Sequence, residues 1–168
     1  FTAHDTEKKY GNLTVTYAMQ LRLVVEEEEQ TPYRTKLLDY AIVDDCGTVM
    51  NHMIVKGQVY GATAHGIGAA LLETLPYDAN GNVISGSFTD YAPITIQNMP
   101  DLKSENMESP SPFTFNGAKG MGEGGGAALH AISAALQDAL HSEGIIIRNS
   151  HNSPMALYDA RPTLERTK

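Results

Sequence analysis

A chain of 168 residues, 42% hydrophobic and 19% charged, suits one ordinary soluble domain with a real core. Its net charge of −8, from 12 basic against 20 acidic residues, argues against a nucleic-acid partner, which needs clustered Lys and Arg. The single cysteine, Cys46, excludes an internal disulfide framework, a cysteine zinc site and a cysteine-ligated iron–sulfur cluster, and it fits a reducing, cytoplasmic compartment. No apolar run approaches the roughly 20 residues of a membrane span. The chain starts at Phe1 inside a polar stretch, which reads as a piece of something longer.

Residues 1–12 are polar and carry little pattern. From Leu13 the alternation is clean: Leu13, Val15, Tyr17, Met19, Leu21 and Leu23, with Thr14, Thr16, Gln20 and Arg22 between them. This predicts a long, half-buried strand. Glu26 to Glu29 and then Gln30-Thr31-Pro32 break it and read as a solvated hairpin tip. A second strand over residues 34–43 is expected to pair antiparallel with the first. Asp44-Asp45-Cys46-Gly47 ends it.

Residues 49–73 change to helical spacing. Gly57, Gly61, Ala64 and Gly68 give this helix a face of small residues. Each glycine costs a helix roughly 1 kcal/mol, so something should pack very close. Tight helix packing is the plainer account, ahead of a ligand. Ile67, Leu71 and Leu75 supply the expected core-facing stripe. Residues 77–82 form a turn with Asn80-Gly81 at its tip. Residues 83–96 read as short strand pieces broken at Pro93, and residues 98–112 as a loop with a short strand near Leu102.

A further helix is expected from about Gly124 or Gly125 to His141, with Leu129, Ile132, Leu136 and Leu140 apolar and Gly144 ending it. Ile145-Ile146-Ile147 reads as a short buried strand. Ser153 and Pro154 can cap and begin a last short helix. Strands and helices come in groups, which predicts an α+β fold. The expected architecture is a long antiparallel hairpin plus mixed strands packed with two main helices, one domain over residues 1–168.

The stretch Asn116-Gly117-Ala118-Lys119-Gly120-Met121-Gly122-Glu123-Gly124-Gly125-Gly126 holds six glycines, one cation and one carboxylate. Exposed backbone N–H groups and a following helix start both favour a nearby anion. Glu123 is then available as a base, and Lys119 could contact a ligand phosphate. A glycine-rich helix entry with a capping glutamate fits the same residues equally well. Gly120, Gly122 and Gly125 form a literal G-x-G-x-x-G. A dinucleotide (NAD or FAD) turn, however, needs a clear preceding strand and a later acidic residue, and neither is evident. Gln58, on the small-residue helix, offers an amide that donates and accepts, though an exposed helical glutamine is the plainer account. The six histidines show no metal-ligand spacing. Cys46 follows two aspartates, which oppose a thiolate, so it reads as structural.

Taken in order, the segments form a series. They are Val43-Asp44-Asp45-Cys46-Gly47, Asn51, Val55-Lys56-Gly57-Gln58-Val59-Tyr60-Gly61, His65-Gly66-Ile67-Gly68-Ala69-Ala70-Leu71, Glu73, Tyr77-Asp78, Gly81, Asp90-Tyr91, Pro93 and Gly117-Ala118-Lys119-Gly120-Met121-Gly122-Glu123. The series resembles the C-terminal part of the large, molybdenum-cofactor-binding subunit of the molybdenum hydroxylases. That family includes xanthine dehydrogenase, aldehyde oxidoreductases and aerobic carbon monoxide dehydrogenase. The resemblance spans nearly the whole chain, and the pairing of the Gly57-Gln58 segment with the glycine loop is its specific part.

The resemblance implies roles. Glu123 matches the glutamate beside molybdenum, the general base toward the metal-bound hydroxyl as an electrophilic substrate carbon is hydroxylated. Gln58 matches a glutamine that contacts the pterin. Lys119, Gly120, Met121 and Gly122 match the loop whose backbone lines the cofactor. The metal is held by the cofactor's dithiolene, so no protein metal ligand is implied. The cofactor would be molybdopterin with molybdenum, with or without a cytosine dinucleotide.

FAD and a 2Fe-2S cluster would sit on partner subunits. The remainder of the molybdenum-binding subunit would be a further partner, and the complex could dimerise. His52, His65 and Ala62 depart from the family pattern, where proline, glutamine and glycine are usual. Such subunits run several times longer than this chain, so it is expected to be an excised or split piece that alone neither holds cofactor well nor turns over substrate. Two other readings stand beside this one: a dinucleotide-binding module, and a non-catalytic assembly domain whose glycines serve packing only.

Overall fold

The computed structural model describes residues 15–26, 34–123 and 128–160. Strand β1 (Val15–Glu26) pairs antiparallel with β2 (Arg34–Asp45), from Val15 opposite Asp45 to Glu26 opposite Arg34. Of the tip expected at residues 26–32, Glu26 is still in β1 and the rest lies outside what is described, as do residues 1–14 and the half-burial expected of the β1 side chains. Strand β3 (Asp101–Met107) lies on the other side of β2 and runs parallel to it, giving the order β1-β2-β3. A parallel neighbour needs a crossover, and helix α1 (His52–Leu71) lies within it. Helix α2 (Ala128–Ala139) packs on α1, and a short α3 (Pro154–Asp159) closes the chain's described part. The class is α+β, as the grouping of elements predicts.

Local chemistry explains the helix ends. Asn51 caps α1, its side-chain oxygen accepting from Met53 N at 3.0 Å and Ile54 N at 3.1 Å. Ser153 caps α3 through Ala156 N at 3.3 Å, with Pro154 at the first position, as expected. Gly144 takes the left-handed conformation, φ 72°, that stops the turn after α2. The start of α2 expected at Gly124 or Gly125 lies outside the described residues.

The core has two parts. In one, Ile67, Ala70 and Leu71 of α1 meet Ile132 and Leu136 of α2, with Leu140, Ile145 and Leu157. In the other, Tyr40 and Ile42 of β2 meet Val59 of α1 and Ala128 of α2, and Met121 packs on this group. Burying each large aliphatic side chain contributes about 1.5–3 kcal/mol. The second part lies directly under the glycine-rich loop, so the loop rests on packed core.

Three expectations fail. Residues 83–96 are not strands: they hold one isolated bridge, Tyr77 with Val83, while the Asp78 carboxylate organises the turn by accepting from Asn80 N and Asn82 N at 2.8 Å each. Residues 145–147 are not a strand either. The Gln137 side chain replaces a ladder, donating to Ile145 O at 3.1 Å and accepting from Ile147 N at 2.8 Å. Leu75 is 59% exposed, because α1 has already ended, with Leu72 N and Glu73 N both turned onto Gly68 O.

The helices meet off the small-residue face, at Gly66. At Gly66 an added Cβ would lie 2.6 Å from Ala128 Cβ and 3.0 Å from Leu129 N, so this glycine sets the closeness of α1 and α2. At Gly57 and Gly61 an added Cβ meets nothing within 4 Å. Close packing therefore accounts for Gly66 and not for those two. No helix among the described residues is long and apolar enough to cross a membrane.

The glycines thus predict opposite signs. Gly66→Ala should destabilise by about 1–3 kcal/mol through overpacking. Gly61→Ala should stabilise by up to about 1 kcal/mol through helix propensity. Urea unfolding of the two variants measures both; a shared sign would refute the α1–α2 contact.

Candidate functional site

The site is built where β2 ends. Gly47 has φ 67°, and a Cβ there would run into the carbonyl oxygen of Gly117. Gly117 has φ 75°, and its Cβ would sit 2.8 Å from both Pro110 Cβ and Thr48 Oγ1. Two glycines in the left-handed region let the two segments touch. Gly47 then bridges Ala118 in antiparallel fashion. Lys119 N donates to Cys46 O at 2.8 Å, and Thr48 N and Ser111 N donate to Gly117 O at 3.1 and 2.8 Å. The turn before Lys119 is closed by Thr114 Oγ1 on Ala118 O at 2.9 Å and Ala118 N on Asn116 Oδ1 at 3.1 Å.

A buried charge pair lies beneath this seam. Asp45, fully buried, accepts at Oδ1 from Gly47 N at 2.8 Å and Ser109 N at 3.1 Å. Its Oδ2 lies 3.1 Å from Lys119 Nζ, on a lysine side chain only 10% exposed. Burial pushes the Asp45 carboxyl up, but the hydrogen bonds from Gly47, Ser109 and Lys119 outweigh it and hold the group below the usual carboxylate range. Lys119 is thus turned inward. Among the described residues beyond Lys119, Gly120, Gly122 and Glu123 are exposed, with Met121 half-buried between the glycines.

Gln58 lies on α1 and is exposed, and its Nε2 donates to Gly122 O at 3.2 Å. The two segments singled out in the sequence are therefore brought together, one residue from Glu123. Glu123 lies in an exposed turn at the end of a described run; the helix start expected just beyond it is not described. An added Cβ at Gly122 meets nothing within 4 Å. The surface so made carries the Gln58 amide and the Glu123 carboxylate beside exposed glycine backbone. Such a set suits a large polar group that brings its own metal ligands. Among the described residues no group of three or more His, Cys, Asp or Glu is placed to hold a metal ion.

Cys46 is buried, and burial raises its thiol pKa against a backbone hydrogen bond that lowers it, with the Asp45, Glu108 and Asp44 charges adding to the rise. It is a structural thiol. His52 and His65 are exposed on α1. The residue whose role sequence reasoning missed is Asp45, read there as the end of a strand, a charge beside Cys46 and a member of the ordered series. A lysine inside a glycine-rich loop that folds back on the core needs a counter-charge, and that was the available signal.

Residues 1–100 match the molybdopterin cofactor-binding domain family. The chain is 39% identical over 126 residues to the nicotine 6-hydroxylase large subunit of Paenarthrobacter nicotinovorans, covering 74% of this chain and 15% of that protein. It is 31% identical over 137 residues to the carbon monoxide dehydrogenase large chain of Hydrogenophaga pseudoflava, covering 81% of this chain and 17% of that one. Quinoline 2-oxidoreductase from Pseudomonas putida 86 superimposes with a TM-score of 0.71 at 36% identity, over 77% of this chain and 17% of that chain. The chain thus spans 15% and 17% of the length of these two curated relatives. With residues 1–100 of its 168 matched, the chain belongs to the molybdopterin cofactor-binding domain family.

Proposed function

We propose that residues 1–168 act as one molybdopterin-binding unit of a molybdenum hydroxylase-type oxidoreductase, with Glu123 as its general base. The observation that carries this reading is the 3.2 Å bond from Gln58 Nε2 to Gly122 O, which joins the two cofactor motifs at the foot of Glu123. The residues fit the group: the open space at Gly122 admits a large ligand to the backbone, and a Cβ would begin to fill it. Gln58 and the backbone of Lys119, Gly120, Met121 and Gly122 would hold the cofactor. When bound, that group supplies the two-electron oxidation that lets water hydroxylate a substrate carbon.

The chain's own part is to bind, orient and take a proton. A carboxylate is suited to this, because a general base needs hydrogen-bonding reach and a pKa matched to its task. The substrates in reach of such chemistry are aldehydes, purine-like heterocycles and carbon monoxide; relatives named for nicotine and carbon monoxide support that range. The cofactor takes its plain or its cytosine dinucleotide form. The unit works within a complex in the cytoplasm, with the rest of a molybdenum-binding subunit and with subunits carrying FAD and a 2Fe-2S cluster.

The dinucleotide reading is not favoured. Residues 112–116 form turns and a bend where a dinucleotide fold needs a strand, and residues 1–100 match the molybdopterin cofactor-binding domain family.

Glu123→Gln, measured in the cofactor-loaded enzyme, should lower turnover by about 10²–10⁴-fold while molybdenum content stays the same. Unchanged turnover would remove the base role and leave the assembly-domain reading.

A further inference from the structure

We infer that the apolar surface formed by Met50, Met53, Ile54, Phe113 and Phe115 seats the part of the molybdenum-binding subunit that lies outside residues 1–168; this rests on the proposed molybdopterin-binding role. All five side chains are more than half exposed, and Phe115 is exposed throughout. They come from two segments that touch. Thr48 N donates to Gly117 O at 3.1 Å and Asn116 Nδ2 to Met50 Sδ at 3.3 Å, which sets residues 113–116 beside the start of α1. Met53 and Ile54 follow in the first turn of that helix.

The turn itself holds the phenylalanines outward. Between them Thr114 is tied back, its hydroxyl donating to Ala118 O at 2.9 Å. Gly117 N closes the turn on Thr114 O at 3.2 Å, and Phe113 N donates to the hydroxyl of the buried Ser111 at 3.2 Å. Single exposed apolar residues are ordinary on a protein surface. Aromatic side chains, however, bury roughly 150–250 Å² each, so two of them with three apolar neighbours pass the few hundred Å² that mark an interaction surface.

Position and length identify the occupant. Ile54 and Gln58 are four residues apart on α1 and share a face, so the patch runs into the contact of Gln58 with Gly122. At Gly57, Gly61 and Gly122 an added Cβ meets nothing within 4 Å, so the described residues would line the cofactor on one side only. A chain seated on the adjoining patch is placed to supply the facing side. In the two curated relatives the matched part is 15% and 17% of one large subunit or large chain, so most of each protein lies beyond it. A second copy of this chain fits less well, because a net charge of −8 on each opposes self-association.

Photo-cross-linking in the full, cofactor-loaded enzyme tests this. Phe115→p-benzoylphenylalanine and Ile54→p-benzoylphenylalanine, made separately, place the probe on each of the two segments. After irradiation, mass spectrometry should find the main cross-link of both on the molybdenum-binding subunit, at residues outside 1–168. Phe115→Asp, which puts a carboxylate into that contact, should lower molybdenum per subunit by about tenfold or more. Cross-links to residues 1–168 of a second copy, to the FAD or 2Fe-2S subunit, or to no protein at all would overturn the inference. So would wild-type molybdenum in Phe115→Asp. Absence of molybdenum and pterin from the purified wild-type enzyme would instead refute the molybdopterin-binding role and leave the cross-link result standing.

Discussion

The Asp45–Lys119 ion pair is the constraint on which the site depends. It joins the end of β2 to the glycine-rich loop across 3.1 Å, with the Asp45 side chain fully buried and that of Lys119 10% exposed. Its geometry requires two glycines with positive φ, Gly47 and Gly117, because any side chain there would push the segments apart. The backbone bonds between residues 46–48 and 117–119 then carry the loop out over the core. A loop with so many glycines has high conformational entropy when free, and ordering it costs about 1–2 kcal/mol per residue. The pair, the seam and Met121 offset that cost on one side of Glu123.

The helices frame the same point. Asn51 starts α1 close after the seam, which places Gln58 within reach of Gly122. Gly66 brings α1 against the first residues of α2, and α2 follows the loop in sequence. The loop is therefore held from its upstream end by β2, from its side by α1 and over Tyr40, Ile42 and Val59 from below. Exposed residues around this point include Gly57, Gln58, Gly61, Gly120, Gly122 and Glu123, with the apolar Ile54 one turn before Gln58 on α1.

Much of this was legible in the sequence, and the failures have physical causes. Alternation marked β1, helical period marked α1 and α2, and Ser153-Pro154 marked α3, since these are local signals. The strand near Leu102 was visible, but its parallel pairing with β2 was not, because pairing partners are non-local. Residues 83–96 and 145–147 carry β-branched residues that imitate strands, yet the first segment holds one isolated bridge, Val83 with Tyr77, and the Gln137 side chain takes the backbone groups of the second. Local physics left the glycine loop undecided between packing and binding. The ordered motifs, Gln58 above all, turned it toward a cofactor. Asp45 escaped notice because a charge pair between distant segments leaves no periodic trace.

The central claim is that Glu123 faces the cofactor's metal while Lys119 faces Asp45. Anomalous diffraction at the molybdenum edge, on crystals of the cofactor-loaded enzyme, tests it most directly. The account predicts a metal peak beside the glycine loop, with a Glu123 carboxylate oxygen about 3 Å from an atom of the metal's coordination sphere. Lys119 Nζ should remain on Asp45 Oδ2. A metal peak far from this loop, or a Glu123 carboxylate turned into solvent with Lys119 on the cofactor, would contradict it.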